Sequence, residues 1–148
     1  MLYRKMYGED LSAKTIFEMV TINAAKAFWM QDRIGTLEEG KLGDILVLKA
    51  GNDDPYENLA SASMKDIELL VLAGKPIYGE KRFLDIFGSI SGKAVLPDDY
   101  TEIIVDKRPM FVIGDPGALY MEIRQRTGFK KLLDFLPFEP ENTVKEFA

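Results

Sequence analysis

The 148-residue sequence contains no histidine and no cysteine. The first absence removes imidazole, the usual general base near neutral pH and the commonest metal ligand. It also leaves Ser12, Ser61, Ser63, Ser89 and Ser91 with nothing to activate them, so a Ser-His nucleophile is excluded. The second absence excludes a disulfide framework, a thiolate nucleophile and a zinc–thiolate site. No apolar run approaches the ~20 residues of a membrane-spanning helix. The opening Met-Leu-Tyr-Arg-Lys-Met-Tyr is too polar for the core of a signal peptide. Positive charge is in short supply as well: the net charge of −5 gives no reason to expect nucleic acid or an anionic membrane as partner. A cytoplasmic chain fits these absences. Internal repeats and low-complexity tracts are also missing.

What is present is ordinary for a globular chain: 47% apolar and 29% charged residues, enough to bury a core in one domain, or one domain with an appendage. Ser12 reads as the N-cap of a helix over Ala13–Val20, with Leu11, Thr15, Ile16, Met19 and Val20 as its apolar stripe. Thr21 to Met30 reads as a second short helix, packed through Ala24, Ala25, Ala27 and Phe28. Arg33 to Leu48 reads as a strand, a turn controlled by Gly40 and Gly43, and a buried strand at Ile45–Leu48. Ala50–Tyr56 is a dense turn cluster, and Leu59–Met64 a connector of small residues. Asp66–Ala73 and Pro76–Tyr78 read as a hairpin over Gly74-Lys75, with proline tolerated at the start of the return strand.

Beyond the hairpin, Gly88-Ser-Ile-Ser-Gly92 reads as a linker. Thr101–Val105 and Met110–Ile113 read as strands joined by Asp106-Lys-Arg-Pro109. Asp115 as N-cap, Pro116 at the first helical position and Gly128 past the end predict a helix over Gly117–Thr127. Phe129–Phe135 reads as a further helical turn or two.

Two stretches carry a resemblance. Thr21-Ile-Asn-Ala-Ala-Lys-Ala27, followed by Ile34-Gly-Thr-Leu-Glu-Glu-Gly-Lys-Leu-Gly-Asp-Ile45, resembles the C-terminal end of the metal-dependent amidohydrolases. These include the cytosine and guanine deaminase, dihydroorotase-like and atrazine chlorohydrolase-like enzymes. Gly43 stands where that pattern usually has alanine. A second match runs from Val71 to Gly79, through Gly74-Lys-Pro-Ile-Tyr-Gly79. The resemblance covers about residues 10–85.

The resemblance implies an α+β, β-rich fold: a sandwich-like composite domain of metal-dependent hydrolases, with N-terminal helices and a C-terminal strand/helix extension. It divides the chain into a helical remnant of the barrel end at 1–30, a small β-sandwich tail at 31–92 and an α/β extension at 93–148. The family's metal would sit on a His-x-His pair, further histidines and a late aspartate. None of those histidines exists here, and a (β/α)₈ barrel takes ~250 residues. The implied function is therefore that of a C-terminal fragment of a hydrolase acting on carbon–nitrogen bonds other than peptide bonds, catalytically incomplete on its own. A non-enzymatic interaction or oligomerisation module that reuses the tail is the second reading. The implied partners are a second copy of the chain or a complementary barrel segment.

The remaining chemistry-bearing residues read as structure. Asp53-Asp54 and Asp98-Asp99 are turn carboxylates beside proline, without the spaced oxygens of a calcium loop. Asp44 opens a strand; the family's metal aspartate precedes the helix at 12–20, so Asp44 does not match it. Gly114-Asp-Pro-Gly117 lacks phosphate-loop spacing, and Asp115 would compete with an anion. Arg124, Arg126, Lys130 and Lys131 beside Phe129 read as a solvated helix face. Phe28 and Trp29, at a helix end, read as core in preference to a ligand platform. No residue is assigned a catalytic, cofactor-binding or metal role.

Overall fold

The computed structural model describes residues 11–91, 100–129, 136 and 138. Helix α1 (Ala13–Val20) begins where the Ser12 hydroxyl accepts the Thr15 N–H at 3.1 Å. It ends at Thr21, whose hydroxyl donates back to the Phe17 carbonyl at 2.7 Å. Helix α2 (Ile22–Ala27) follows at once.

The first expected strand, near Arg33–Leu37, does not form. Arg33 and Ile34 donate to the Met30 carbonyl, and Leu42 donates to the Arg33 carbonyl. Their hydrogen bonds thus close local turns instead of a ladder. Gly35, at φ +96°, lays this loop on α2 so closely that a β-carbon there would lie 2.8 Å from the Ala25 β-carbon.

Strand β1 (Ile45–Leu48) is present and pairs antiparallel with β2 (Ile67–Leu72), Val47 facing Leu69. Between them the expected connector is a helix, α3 (Pro55–Ser61). The Asp54 carboxylate accepts the N–H groups of Tyr56 and Glu57 at 2.8 and 3.2 Å. The same Asp-Pro pair that suggests a turn therefore also starts a helix. A short 3-10 turn, Met64–Asp66, leads into β2.

The hairpin turn sits one residue earlier than the spacing suggests. Ala73 and Gly74 take φ of +49° and +78°, and β3 begins at Lys75 (Lys75–Glu80). Helix α4 (Arg82–Ser91) then runs through most of the expected linker at 88–92, and Gly92 lies outside the described residues. Phe83, Leu84 and Phe87 dock α4 on the sheet, and that burial carries the helix into the glycine-serine stretch. Strands β4 (Tyr100–Val105) and β5 (Arg108–Ile113) form a hairpin over Asp106 and Lys107, both at positive φ. Helix α5 (Pro116–Thr127) has the predicted ends. The Asp115 carboxylate accepts the Ala118 N–H at 2.9 Å, and Gly128 sits at φ +74°. The helical turn expected at 129–135 lies outside the described residues from Lys130 onward.

All five strands join one antiparallel sheet in the order β1-β2-β3-β5-β4. The sheet runs without a break from the family-like hairpin into the later strands, because β5 pairs with β3 through Tyr78–Val112, Gly79–Phe111 and Glu80–Met110. One face carries Leu69, Val71, Tyr100 and Phe111 under α4. The other carries Ile103, Val105 and Met110, with Tyr78, Val112 and Phe138 against them. The fold is α+β and β-rich, as the sequence predicts. A second sheet facing the first, which a sandwich would need, is not found among the described residues. No helix among the described residues is long and apolar enough to cross a membrane.

Candidate interaction surface

Three of the carboxylates singled out in the sequence, Asp44, Asp54 and Asp115, serve as structural groups. Asp54 caps α3 and Asp115 caps α5. The Asp44 carboxylate accepts the Ala73 N–H at 2.7 Å, and the Gly43 carbonyl accepts the Gly74 N–H at 3.0 Å. Asp44 thus ties the start of β1 to the β2–β3 turn. Asp44→Ala should lower unfolding free energy by about 1 kcal/mol, read as a shifted denaturation midpoint at constant slope.

Asp66 closes a capping box with Ser63, whose N–H and hydroxyl hold its carboxyl below the usual range. Ser61 donates to the Glu57 carbonyl. Arg126 pairs with Glu122 at 2.7 Å within α5, so the basic patch is partly spent there. Lys130, Lys131, Asp98 and Asp99 lie outside the described residues. Among the described residues no group of three or more His, Cys, Asp or Glu could hold a metal ion.

The charged cluster around Glu80 is likewise self-contained among the described residues. Glu80 bridges Arg108 at 2.8 Å and Arg82 at 2.7 Å, and Arg82 also reaches Glu68 at 3.3 Å. Arg108 further donates to the Lys65 carbonyl. Lys81 pairs with Glu102 at 2.6 Å, which holds its ammonium above the usual lysine range. The nearby Tyr78 hydroxyl is buried without a hydrogen-bond partner among the described residues, and burial raises its pKa.

What the molecule offers to a partner is apolar. Helix α1 has an apolar stripe, yet none of its residues is buried, and in α2 only Ala25 is. Phe28 is 76% exposed and Trp29 88%, which overturns their placement in the core. The cause is the way α2 ends. The Met30 N–H donates to the Ala25 carbonyl at 2.8 Å, and the Trp29 N–H to the Lys26 carbonyl at 3.1 Å. This is a Schellman cap, and its left-handed position normally belongs to glycine. Here it is held by Trp29 at φ +58°, a conformation that costs an L-residue roughly 1–2 kcal/mol.

Both side chains lie in solvent beyond the cap. A glycine is missing where the helix ends, and that signal is visible in the sequence. It shows only once the helix end is placed at Ala27, not at Met30. Met19, Val20 and Leu37 are exposed as well. Surface of this kind suits a binding face better than a catalytic centre.

Comparison with known proteins gives two matches. The model of the amidohydrolase family matches residues 1–77, just over half of the chain. An imidazolonepropionase of Fusobacterium nucleatum subsp. nucleatum is 52% identical over 40 residues, which make up 27% of this chain and 10% of that relative. The match thus spans about a tenth of the relative's length.

Proposed function

Since the chain belongs to the amidohydrolase family, we propose that it is the C-terminal part of a hydrolase acting on carbon–nitrogen bonds other than peptide bonds. By itself it is catalytically incomplete. The observation that carries this reading is the pairing of a family match over residues 1–77 with apolar side chains left exposed on α1 and just past the end of α2, at Met19, Val20, Phe28 and Trp29. In the parent enzyme those helices would close the end of a barrel. A barrel segment or a second copy of the chain would cover that surface.

The family's metal would activate the attacking water in that barrel. The residues here do not fit such a centre: the sequence has no histidine or cysteine, and among the described residues no group of three or more acidic side chains could hold a metal ion. No catalytic step is therefore assigned to this chain. Within the family we favour the cytosine/guanine deaminase and atrazine chlorohydrolase-like enzymes on the wording of residues 21–45 and 71–79. The stretch shared with an imidazolonepropionase keeps that choice open to test. The division at 1–30, 31–92 and 93–148 belongs to the same proposal, as does a cytoplasmic location, which the lack of cysteine supports.

A second reading, an interaction module that reuses the tail, is favoured by one observation. The sheet is extended by β4 and β5, which lie beyond the matched residues. Assay of the purified chain tests the catalytic claim. After dialysis against a chelator and then zinc, it should hold far less than one zinc per chain and should turn over no cyclic amide or amidine. Stoichiometric zinc with metal-dependent turnover would overturn it. A reading frame upstream of Met1 that encodes His-x-His on a strand would separate the first reading from the second.

A further inference from the structure

We propose that Phe28 and Trp29 anchor a two-fold interface with a second copy of this chain, in which Asp32 of each copy faces Lys26 and Arg33 of the other. The proposal rests on the reading that the end of α2 presents an apolar face to a partner, and it names the occupant of that face.

Three observations converge. The first is strain joined to exposure. Trp29 takes φ +58° at a helix cap, yet its side chain is 88% exposed. Buried contact therefore does not explain why the position is not glycine. Left-handed backbone at a bulky residue tends to mark a functional constraint, and exposed tryptophan is the residue type most enriched at the centre of interfaces.

The second is area. Phe28, Trp29 and Met30 are consecutive and exposed. They present on the order of 400 Å² of apolar surface per copy. A two-fold axis through the wedge doubles that to about half of a standard interface, and a polar rim would supply the rest.

The third is charge. Lys26, Asp32 and Arg33 flank the wedge, all three exposed, and none takes part in an ion pair among the described residues. A surface that must match itself across a two-fold axis needs both signs beside its apolar centre, because a single sign would repel its own copy. Arg33 also has the planar cation that stacks on an indole face. A partner of one strong charge would leave one of these signs unmatched.

Sedimentation of the full chain across the micromolar range tests the proposal. The wild type should form dimers. Trp29→Gly, which places the preferred residue at the cap, should keep its circular dichroism and weaken dimerisation by about 100-fold. Asp32→Lys and the double variant Lys26→Glu/Arg33→Glu should each be monomeric alone and should form a heterodimer when mixed. A wild type that stays monomeric at ~100 µM overturns the proposal, as does a Trp29→Gly dimer of unchanged affinity or a mixture that stays monomeric. Capture of a co-expressed barrel segment through Trp29 by a monomeric wild type would also overturn it, while leaving the amidohydrolase reading intact.

Discussion

Phe111→Ala should cost about 3–5 kcal/mol of unfolding free energy. Phe111 is among the largest fully buried side chains among the described residues, and it lies near the middle of β5. β5 itself pairs with β3 on one side and β4 on the other. The Phe111 ring meets Tyr100 edge-on, with centroids 5.4 Å apart and planes at 89°. Tyr100 in turn donates its hydroxyl to the Pro76 carbonyl at 2.9 Å. Truncation would open a cavity beneath α4, where Phe83, Leu84 and Phe87 rest on the same cluster, and would loosen the ring that Tyr100 packs against. A domain of this size has a total stability of only ~5–15 kcal/mol, so the loss is a large share. Phe111→Leu should cost much less, because most of the volume stays. Phe28→Ala, which removes an equal ring from solvent, should leave the monomer's stability within ~0.5 kcal/mol. Urea denaturation of the three variants checks the order. A Phe111→Ala midpoint within error of Phe28→Ala would show that the core lies elsewhere.

Much of this fold could be read where local chemistry and tertiary pairing agree. The ends of α5 follow from Asp115-Pro116 and Gly128 alone, because capping is local physics. Strands β1, β2, β4 and β5 follow from short apolar runs between turn residues. The misreadings arise where one signal serves two structures. Asp54-Pro55 starts a helix as readily as it makes a turn. The glycine and serines at 88–91 continue a helix because three upstream apolar residues dock it. Residues 33–37 have strand composition, but Gly35 fits only against Ala25, a contact that no local pattern encodes. The joining of β5 to β3 is a long-range pairing and leaves no mark in either strand's own sequence.

The interaction surface was half legible. The exposure of Met19 and Val20 on α1 fits the apolar stripe that the sequence predicts for this helix. The outward turn of Phe28 and Trp29 does not follow from the sequence, because aromatic residues at a helix end normally pack inward. It depends on α2 stopping at Ala27 and on the cap that reverses the chain. That helix end is a matter of a few residues, the scale at which sequence patterns are least informative. Asp54 and Asp115 cap helices through contacts of two or three residues, whereas the reach of Asp44 to Ala73, across 29 residues of sequence, requires the hairpin to be in place.

Gly79→Ala should be the most damaging single-methyl addition in the described sheet, at about 3 kcal/mol. Gly79 sits in β3 between Leu69 of β2 and Phe111 of β5. A β-carbon there would lie 2.8 Å from the Glu68 carbonyl oxygen, 2.9 Å from the Leu69 δ-carbon and 3.1 Å from the Leu69 α-carbon. Two of those atoms are backbone and cannot rotate away, so β2 and β3 would have to part at the centre of the sheet. The large side chain of Leu69 occupies the space that glycine leaves. This gives a physical reason for glycine at the end of the Val71–Gly79 stretch that resembles the amidohydrolases. Gly74→Ala is the control. Gly74 has φ +78° but open space around it, so its substitution strains only the turn, at about 1 kcal/mol. Thermal and urea unfolding of both variants separate the two causes. Equal losses would mean that close approach to β2 does not dictate glycine at position 79. A Gly79→Ala loss at least twice that of Gly74→Ala, with weakened amide protection in β2 and β3, is the expected result.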